Sequence, residues 1–384
     1  MKNRKVAFLT EVPASYRNPL FEKLSQRQDL SIEVIYCVPE QCDTRWWKQE
    51  AKNYPYKVLP GFAYPLVGRG VFVLKINPGI WNQLSKGDYD AVIIGGYIQP
   101  TMQLAILWCL LYKVPYILWS ESHHLTPRPI LIYLLKWPLV NFSVRNAAAF
   151  LSTGSESRDY LISYGAKRTK VFLFPNNPDV RTLIEDSLSY RKDIQKLRQE
   201  LNIFGSPLII YSGRLIGHKD IQTLLIAFQL VQRQIPQVGL VIVGEGPLRR
   251  SLENLSGKLK LSNVYFAGFV QPKDLVKYYS CADIFVLPSS YEPWGVVVLE
   301  AMSCGLPVVV SDKVGCARDL VYPNRNGFIF SAKNIPGLSS AITKLCQDPQ
   351  LRREMASYSR EIALKWDYDF SISQLMQALK IAVV

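Results

Sequence analysis

Two glutamates and the segment that joins them form the clearest chemical pattern in this 384-residue sequence. Glu292 follows a short run typical of a buried strand, and Glu300 lies about five residues into a helical pattern that opens at Gly295. A glycine leaves the helix N-terminus bare, so the amides of Val296 and Val297 can approach a phosphate. Helical side chains lean towards the helix start. The spacing therefore allows one acid to serve each end of a diphosphate, although a loop acid and a solvated helical acid would share it.

Two cations, Arg214 and Lys219, flank a second strand-to-helix loop, which opens at Gly213. A cation pair at this place can neutralise a diphosphate. The alternative is a helix start with solvated charges. If both cations contact such a diphosphate, a divalent metal is unnecessary, because the electrostatic stabiliser is already present. We therefore expect no metal site and no cofactor.

Five motifs follow one another over most of residues 205–345. They are Tyr211–Asp220, Val243–Pro247, Phe266–Val270, Ser289–Val310 and Ser311–Gly315. Their order and spacing resemble those of the retaining nucleotide-sugar glycosyltransferases of GT-B fold, and more narrowly family four, the glycosyl transferases group 1. The N-terminal half resembles that family only in pattern. The resemblance implies transfer of a hexosyl group from a nucleoside diphosphate sugar to an acceptor hydroxyl with retention, in the biosynthesis of a polysaccharide, glycolipid or other glycoconjugate.

The resemblance also implies roles for the donor-side residues. Glu300 would bind the ribose hydroxyls, and Glu292 would hold hydroxyls of the transferred sugar. Arg214, Lys219 and the amides near Val296 would stabilise the leaving diphosphate. In the implied same-face mechanism the leaving phosphate takes the acceptor proton, so no side-chain nucleophile is needed. This accounts for the lack of paired catalytic carboxylates of the glycoside hydrolase kind.

Two further donor-side motifs allow a structural interpretation. Gly244 and Gly246 frame a tight turn before Pro247, which suits a first helical position, and we expect them to be structural. Phe269 and Val270 follow a strand end and resemble the segment that contacts the nucleotide base. Core packing is the equal alternative for Phe269.

The first loop of the chain is a candidate acceptor site. It contains Ser15, Tyr16, Arg17 and Asn18, where many family members have a Gly-Gly loop. Arg17 is placed to reach the diphosphate or an acceptor phosphate, and a helix-capping role is the alternative. The departure from Gly-Gly weakens the expectation that the backbone of this loop contacts the donor.

A second N-terminal candidate follows the strand that ends near Ser120. Glu121 takes the place where family members often carry a histidine that contacts the donor sugar, and His123 and His124 follow it. We expect Glu121 and His124 to line the donor-sugar or acceptor pocket, with surface placement as the alternative. The pair Gly96 and Tyr97 ends the preceding strand and is predicted to line the same cleft.

Short β-branched runs alternate with helical patterns along the whole chain. The predicted strands are Lys5–Thr10, Ser31–Cys37, Ala91–Gly95, Pro115–Ser120, Ala148–Ser152, Lys170–Phe174, Pro207–Ser212, Val238–Val243, Val264–Gly268, Ile284–Pro288, Pro307–Ser311 and Gly327–Phe330. Twelve strands are too many for one open sheet. We predict an α/β protein of GT-B type, with two Rossmann-like domains whose parallel sheets face each other across a cleft.

The predicted domain boundaries follow composition. Residues 1–178 would form the acceptor-binding domain and residues 179–360 the nucleotide-sugar-binding domain, because a turn-rich segment lies at 174–179. A charged helix is predicted at about 188–202. The stretch 351–384 reads as one long helix, and residues 361–384 are expected to pack back towards the N-terminal domain.

Charge and cysteine content bear on partners and compartment. The chain carries a net charge of +14, with +8 in residues 1–180 and +6 in the remainder. Seven cysteines without Cys-x-x-Cys spacing read as reduced thiols. The apolar run near the N-terminus is too short for a secretory signal, and no stretch reaches the roughly 18 apolar residues of a spanning helix. We therefore expect a cytoplasmic protein.

Membrane contact is the favoured explanation of the charge. The apolar segment 129–140 carries Lys136 and Trp137, flanked by Arg128 and Arg145, and reads either as a helix packed on the sheet or as an interfacial membrane surface. A phosphorylated or lipid-linked acceptor at the inner face of an anionic plasma membrane follows as the leading expectation.

Two other functional classes remain open from the sequence. Another GT-B enzyme, such as an inverting transferase or a sugar-nucleotide epimerase, would share the fold. A basic module that binds membrane or nucleic acid without catalysis would show long Lys/Arg runs or aromatic-interleaved basic patches. The cations are dispersed instead, so no nucleic-acid partner is expected.

Overall fold

The computed structural model describes residues 3–38, 52–65, 73–125 and 130–383. Two compact units are present, the first formed by residues 1–176 and 368–384 and the second by residues 177–367. Arg128, which the sequence analysis singled out, and Cys42, one of the seven cysteines, lie outside the described residues.

Strands and helices alternate in both units. The strands are β1 (Arg4–Thr10), β2 (Leu30–Tyr36), β3 (Tyr56–Val58), β4 (Phe62–Pro65), β5 (Val73–Ile76), β6 (Ala91–Gly95), β7 (Tyr116–Ser120), β8 (Ala149–Ser152), β9 (Val171–Leu173), β10 (Leu208–Ser212), β11 (Gly239–Val243), β12 (Val264–Gly268), β13 (Ile284–Leu287), β14 (Val308–Ser311) and β15 (Gly327–Phe330). The helices are α1 (Asn18–Ser25), α2 (Ile80–Gly87), α3 (Pro100–Leu111), α4 (Ile130–Arg145), α5 (Ser155–Ser163), α6 (Val180–Tyr190), α7 (Ile194–Glu200), α8 (Ile221–Gln234), α9 (Arg249–Lys258), α10 (Pro272–Cys281), α11 (Val296–Ser303), α12 (Ala317–Leu320), α13 (Ile335–Gln347), α14 (Pro349–Leu364) and α15 (Tyr368–Ala382).

The first unit is built on a seven-stranded parallel sheet of order β3-β2-β1-β6-β7-β8-β9. Alternate residues of a strand point to opposite faces. In β1, Val6 and Phe8 belong to the core under α1 and α15, whereas Ala7 and Leu9 belong to the core under α2 to α5. Both faces are therefore covered, as continuous apolar strands require.

The second unit contains a six-stranded parallel sheet of order β12-β11-β10-β13-β14-β15. Together the two sheets confirm the predicted α/β architecture with two Rossmann-like units. All twelve predicted strands are present, with ends that differ by one residue or less.

Two helix predictions were wrong. Instead of one helix at 188–202, α6 begins at Val180 and α7 follows it. The side chain of Asp179 caps α6 by accepting a hydrogen bond from the Thr182 amide, and Asp193 caps α7 in the same way.

The predicted helix at 351–384 is two helices, α14 and α15. Between them, the backbone carbonyls of Trp366 and Asp367 accept hydrogen bonds from the side chain of Asn177, and the Asp367 carboxylate pairs with Arg181 at 2.6 Å. These long-range partners hold the break in place. The antiparallel hairpin β4–β5 also had no counterpart in the prediction.

Every helix among the described residues is too short or too polar to cross a bilayer. The six described cysteines are buried free thiols.

Candidate active site

The carboxyl ends of β10 and β13 mark the point in the second sheet where the strand order reverses. Ligands of open α/β sheets bind outside the strands at such a point. The loop after β10 contains Arg214 and Lys219, and the loop after β13 contains Glu292. Topology alone thus brings the two predicted motifs to the same edge.

Lys219 and Glu292 form an ion pair there, although 73 positions separate them in sequence. Each side chain is only 12% exposed. The backbone of Glu292 is fixed, because its N–H donates to the Lys313 carbonyl at 3.1 Å and its carbonyl accepts from Gly315 at 2.9 Å. Each charge therefore has a single, well-defined position.

Helix α11 begins next to this pair without a side-chain cap. Its N-cap residue, Gly295, has φ = +98°, and a Cβ atom there would lie 3.1–3.4 Å from atoms of Val314, Glu292 and Cys316. Only glycine fits this conformation and this space readily. The amides of Val296 and Val297 are thus presented at a helix N-terminus, a place that favours anions.

Glu300 accepts a hydrogen bond from the hydroxyl of Tyr279 at 2.9 Å. Burial raises the pKa of the Glu300 carboxyl to about 7, and the hydrogen bond from Tyr279 opposes that rise. Tyr279 is fully buried on α10. It was not predicted as a site residue, since nothing in the sequence links α10 to α11.

Arg214 is exposed, and among the described residues no carboxylate lies within ion-pair distance of its guanidinium. Its backbone carbonyl accepts a hydrogen bond from the buried Tyr211 hydroxyl at 3.1 Å. The carbonyl of His218 accepts from the amide of Ser290 at 2.8 Å and so joins the β10 and β13 loops. The loop is held by its backbone while the Arg214 side chain remains available to a ligand.

Backbone hydrogen bonds join three loops at the carboxyl edge of the second sheet. Gly213 donates to Val243 at 3.0 Å, and Gly244 donates to Gly268 at 2.8 Å. Phe269 and Val270 continue from Gly268, and both are half-buried. Val270 packs against the core of the second unit. The motifs around Gly213, Gly244 and Phe269 are thus neighbours in space.

We predict that Gly244→Ala destabilises the second unit by about 3 kcal/mol or more. Gly244 has φ = +139°, and a Cβ atom there would lie 1.9 Å from the carbonyl oxygen of Gly213. The matched control is Gly257→Ala in α9, where a Cβ meets no atom within 4 Å. That change should stabilise the protein by about 0.5–1 kcal/mol, because alanine is the better helix former. Urea denaturation measures the stability of both variants. Equal unfolding midpoints for Gly244→Ala and Gly257→Ala would contradict the prediction.

In the first unit, Arg17 is the centre of a polar cluster at the carboxyl ends of β1 and β7. Its guanidinium pairs with Glu121 at 2.6 Å and donates to Asn176 at 3.1 and 3.2 Å and to Thr10 at 3.2 Å. It also lies 4.3 Å from the ring centre of Trp119. With the side chain only 13% exposed, these partners position Arg17 and Glu121 together.

Arg17→Met should destabilise the first unit by about 2–4 kcal/mol, because Glu121 and Asn176 lose their partner in a partly buried setting. Arg17→Lys should recover only part of this loss, since an ammonium cannot reproduce the forked contacts. The control is Arg27→Met, whose pairing with Asp29 lies nearer the surface and is worth about 0–1 kcal/mol. Urea midpoints measure the stability of the three variants. Equal losses of stability in Arg17→Met and Arg27→Met would refute the central role of Arg17 in the polar cluster.

The other predicted residues of the first unit have varied surroundings. Asn18 is buried and accepts a hydrogen bond from Tyr54 at 2.7 Å, so the structure places it in the core beneath α1 rather than on a binding surface. Tyr16 is half-buried, 5.4 Å from the Arg17 guanidinium to its ring centre. Ser15 lies in the short helical turn Ser15–Arg17.

The strand-end loop after β7 is tied to α5. His124 is exposed, lies 3.1 Å from the Ser163 hydroxyl through Nε2, and packs 4.6 Å from the Tyr160 ring centre. Partial burial lowers the pKa of the otherwise exposed His124, and the negative charge of Glu156 opposes that shift. Tyr97 is buried and donates to Ser122 at 2.8 Å.

Two predicted residues complete this edge of the first sheet. His123 is half-buried, and its Nδ1 accepts from the Leu125 amide at 3.2 Å. Gly96 donates its backbone N–H to the Trp119 carbonyl at 2.8 Å, which joins the ends of β6 and β7. In the part of the chain that the structure describes, no three His, Cys, Asp or Glu side chains are grouped to hold a metal ion.

Comparison with known proteins identifies the domain that carries the acidic and basic motifs. Residues 193–362 match the family described as Glycosyl transferases group 1, and this segment contains Arg214, Lys219, Glu292 and Glu300. This segment of the chain is therefore similar to the group 1 glycosyl transferases. The matched segment and the two parallel sheets agree with the GT-B resemblance found in the sequence.

Several glycosyltransferases are similar to this chain. An uncharacterized glycosyltransferase of Methanocaldococcus jannaschii, MJ1607, is 31% identical over 222 residues, which is 56% of this chain and 55% of that protein. Sulfoquinovosyl transferase SQD2 of Arabidopsis thaliana is 27% identical over 80% of this chain and 59% of its own length. The chain thus spans between half and three-fifths of these curated relatives.

Solved structures share the fold over nearly the whole chain. Anabaena Alr3699/HepE in complex with UDP superposes with a TM-score of 0.77 at 21% identity, covering 98% of this chain and 99% of that one. Sucrose-phosphate synthase from Thermosynechococcus elongatus gives a TM-score of 0.72 at 20% identity, over 98% of each chain. At such identities the likeness concerns the fold.

Proposed function

We propose that this protein transfers a hexosyl group from a nucleoside diphosphate sugar to an acceptor hydroxyl with retention of the anomeric configuration. The observation that carries the proposal is the convergence of Lys219, Glu292 and the uncapped start of α11 at the switch point of the second sheet. Positive charge and backbone amides there face the place where a diphosphate would lie.

Each charged group has a distinct role in the proposed reaction. Glu300 accepts hydrogen bonds from the ribose hydroxyls, and Glu292 orients hydroxyls of the transferred sugar. Lys219, Arg214 and the α11 amides stabilise the negative charge that grows on the leaving diphosphate. The leaving phosphate takes the acceptor proton, so the transfer needs no protein nucleophile.

Metal independence is part of the proposal. Two cations and a helix N-terminus supply the charge that a divalent ion would otherwise supply. Transfer should therefore persist in the presence of EDTA, and restoration of a lost activity by Mg²⁺ or Mn²⁺ would refute this part. Phe269 is proposed to contact the base from its half-buried position beside the donor loops.

The relatives suggest which donors and acceptors to test first. The structure of HepE was solved with UDP and glucose, and a relative from Mycolicibacterium smegmatis is named as a GDP-mannose-dependent phosphatidylinositol monomannoside mannosyltransferase. We propose a phosphorylated or lipid-linked acceptor at the cytoplasmic face of an anionic membrane. The excess of positive charge in residues 1–180 supports this choice, and the buried free thiols fit a reducing compartment.

The test is a panel of UDP- and GDP-hexoses with polyprenyl phosphate, phosphatidylinositol and free glycan acceptors. Mass spectrometry detects the product and NMR assigns its anomeric configuration. Retention supports the proposal, whereas inversion assigns an inverting transferase. Conversion of the sugar nucleotide without an acceptor would indicate an epimerase. Release of no nucleoside diphosphate from any pair, together with salt-sensitive binding of nucleic acid, would assign a non-catalytic basic module.

A further inference from the structure

Helix α4 presents a stripe of apolar side chains to solvent. Leu131, Leu134 and Leu135 are 62%, 64% and 72% exposed, and Trp137 and Phe142 are 53% and 44% exposed. Positions 131, 134, 135 and 142 fall at helical spacings that share one face. In a globular protein such a stripe normally faces the core, yet here it faces outwards.

Among the described side chains of α4, those that lie in the core belong to its second half. Val140 and Val144 are buried in the core of the first unit, and Ser143 accepts a hydrogen bond from Gln103 of α3 at 3.0 Å. In the first half of α4, Leu131, Leu134 and Leu135 are exposed although the helix is already anchored by its second half.

Helix α3, which contacts α4 through Gln103, also exposes apolar side chains. Its exposed residues Leu107, Leu110 and Leu111 follow the same spacing of three and four, and Tyr112 follows the helix. We call these four residues and the five exposed residues of α4 the α3–α4 face. They are Leu107, Leu110, Leu111, Tyr112, Leu131, Leu134, Leu135, Trp137 and Phe142. Exposed large apolar side chains in this number are typical of an interaction surface.

The charges in the sequences of α3 and α4 and directly after them are all of one sign. Lys136 lies within α4, Arg145 ends it, and Lys113 follows α3, whereas the sequences 100–119 and 130–145 contain no acidic residue. Leucine side chains, a tryptophan and peripheral cations match an anionic lipid surface, where tryptophan prefers the headgroup level and cations meet lipid phosphates. A protein partner would gain little from this uniform positive charge unless it were acidic.

The length of α4 defines the orientation that such contact would have. Its 16 residues extend about 24 Å at 1.5 Å per residue, which is shorter than the roughly 30 Å hydrocarbon core of a bilayer. The outward stripe runs along the helix, not around it. The helix would therefore lie in the plane of the interface with its leucines immersed.

We propose that the α3–α4 face binds the surface of a bilayer containing anionic phospholipid. Helix α4 follows β7, whose carboxyl end bears Glu121, so the bound lipid surface lies beside the acceptor edge of the first sheet. A lipid-linked acceptor would then reach that edge without leaving the membrane. This last step rests on the proposed function; the membrane binding does not.

Vesicle flotation tests the binding without any sugar nucleotide. Wild type should float with vesicles of phosphatidylcholine containing 30% phosphatidylglycerol and remain unbound with phosphatidylcholine alone. Leu134→Gln combined with Leu135→Gln should weaken binding at least tenfold. The matched control is Leu188→Gln with Leu364→Gln, which changes two leucines of the second unit that are 49% and 44% exposed and should bind as wild type does.

Two further measurements separate the alternatives. Brominated lipids should quench a tryptophan signal that Trp137→Phe removes. Light scattering reports whether the protein dimerises, and a dimer that the Leu134/Leu135 double substitution dissociates would assign the face to a second copy instead. Wild type that fails to float, or a double variant that floats equally well, overturns the proposal. Because every sample is checked for a wild-type urea midpoint, loss of fold cannot imitate loss of binding.

Discussion

Glu300→Gln is expected to lower kcat/KM for the sugar nucleotide by about 100-fold or more. The substitution keeps the shape and the acceptor oxygen that meets Tyr279 but removes the charge that would receive two ribose hydroxyls. Hydrogen bonds to a charged partner contribute about 1.5–3 kcal/mol each. Glu361→Gln, at an exposed position of α14, serves as the control and should leave kcat/KM unchanged. Near-wild-type turnover of Glu300→Gln would refute the donor-site assignment.

The same variant should show unchanged or higher stability at neutral pH. Burial raises the pKa of Glu300 from 4.5 to about 7 in the folded protein, so between these values the folded state binds more protons than the unfolded state. The contribution of Glu300 to stability is therefore greatest below pH 4.5 and declines as the pH rises to 7. Removing the charge should recover up to about 2 kcal/mol at pH 8. A urea series at pH 5 and pH 8 measures the difference.

Donor affinity should also depend on the ionisation of Glu300. It should increase with pH, whereas the contribution of Glu300 to stability decreases. A carboxylate accepts hydroxyl hydrogen bonds better than a carboxylic acid, so nucleoside diphosphate should bind more tightly as the pH rises through 7, with release of a proton. Calorimetry in buffers of different ionisation enthalpy detects that proton. The proton release should vanish in Glu300→Gln; its persistence there would show that another group titrates.

Lys219→Met is expected to reduce kcat by about 100- to 1,000-fold, which is the effect of removing one group that stabilises transition-state charge. The variant also leaves the largely buried Glu292 unpaired, beside the place proposed for the negative diphosphate. Both consequences weaken the transition state more than the ground state. The exposed Lys365 of α14, which pairs with Glu361, provides the control as Lys365→Met.

A double variant separates the two contributions of Lys219. Lys219→Met should lower stability because Glu292 loses its partner, and adding Glu292→Gln should restore much of that stability without restoring kcat. If the double variant regained wild-type turnover, Lys219 would act only by neutralising Glu292. Unfolding midpoints and steady-state kinetics of wild type, Lys219→Met, Glu292→Gln and the double variant decide the question.

The fold was largely predictable because its strands are buried on both faces. Runs such as Ile209–Ser212 and Val308–Ser311 lie in the sheet core and read as strands without any knowledge of their neighbours. The start of α6 at Val180 was not predictable by the same route. The segment 180–190 is polar and follows a proline-rich turn, and its helix depends on the Asp179 cap and on packing against the second core.

The parts of the candidate site whose residues are near in sequence could be predicted. The contacts between residues far apart in sequence could not. Glu292 and the start of α11 lie within one motif. By contrast, Arg17 and Glu121 are 104 positions apart, and Tyr279 reaches Glu300 from a different helix. Such pairs are created by the strand order, which the local sequence does not encode.

Helix α15 has a consequence for how the protein is made. Its residues Tyr368, Leu375 and Leu379 complete the core on one face of the first sheet, yet the ribosome synthesises them after all of residues 177–367. Domains usually fold in order of their synthesis. In this chain the second unit can fold while the first still exposes an apolar sheet face, so the unit that begins first is finished last. During that interval the uncovered face of the first sheet is the surface most in need of a chaperone.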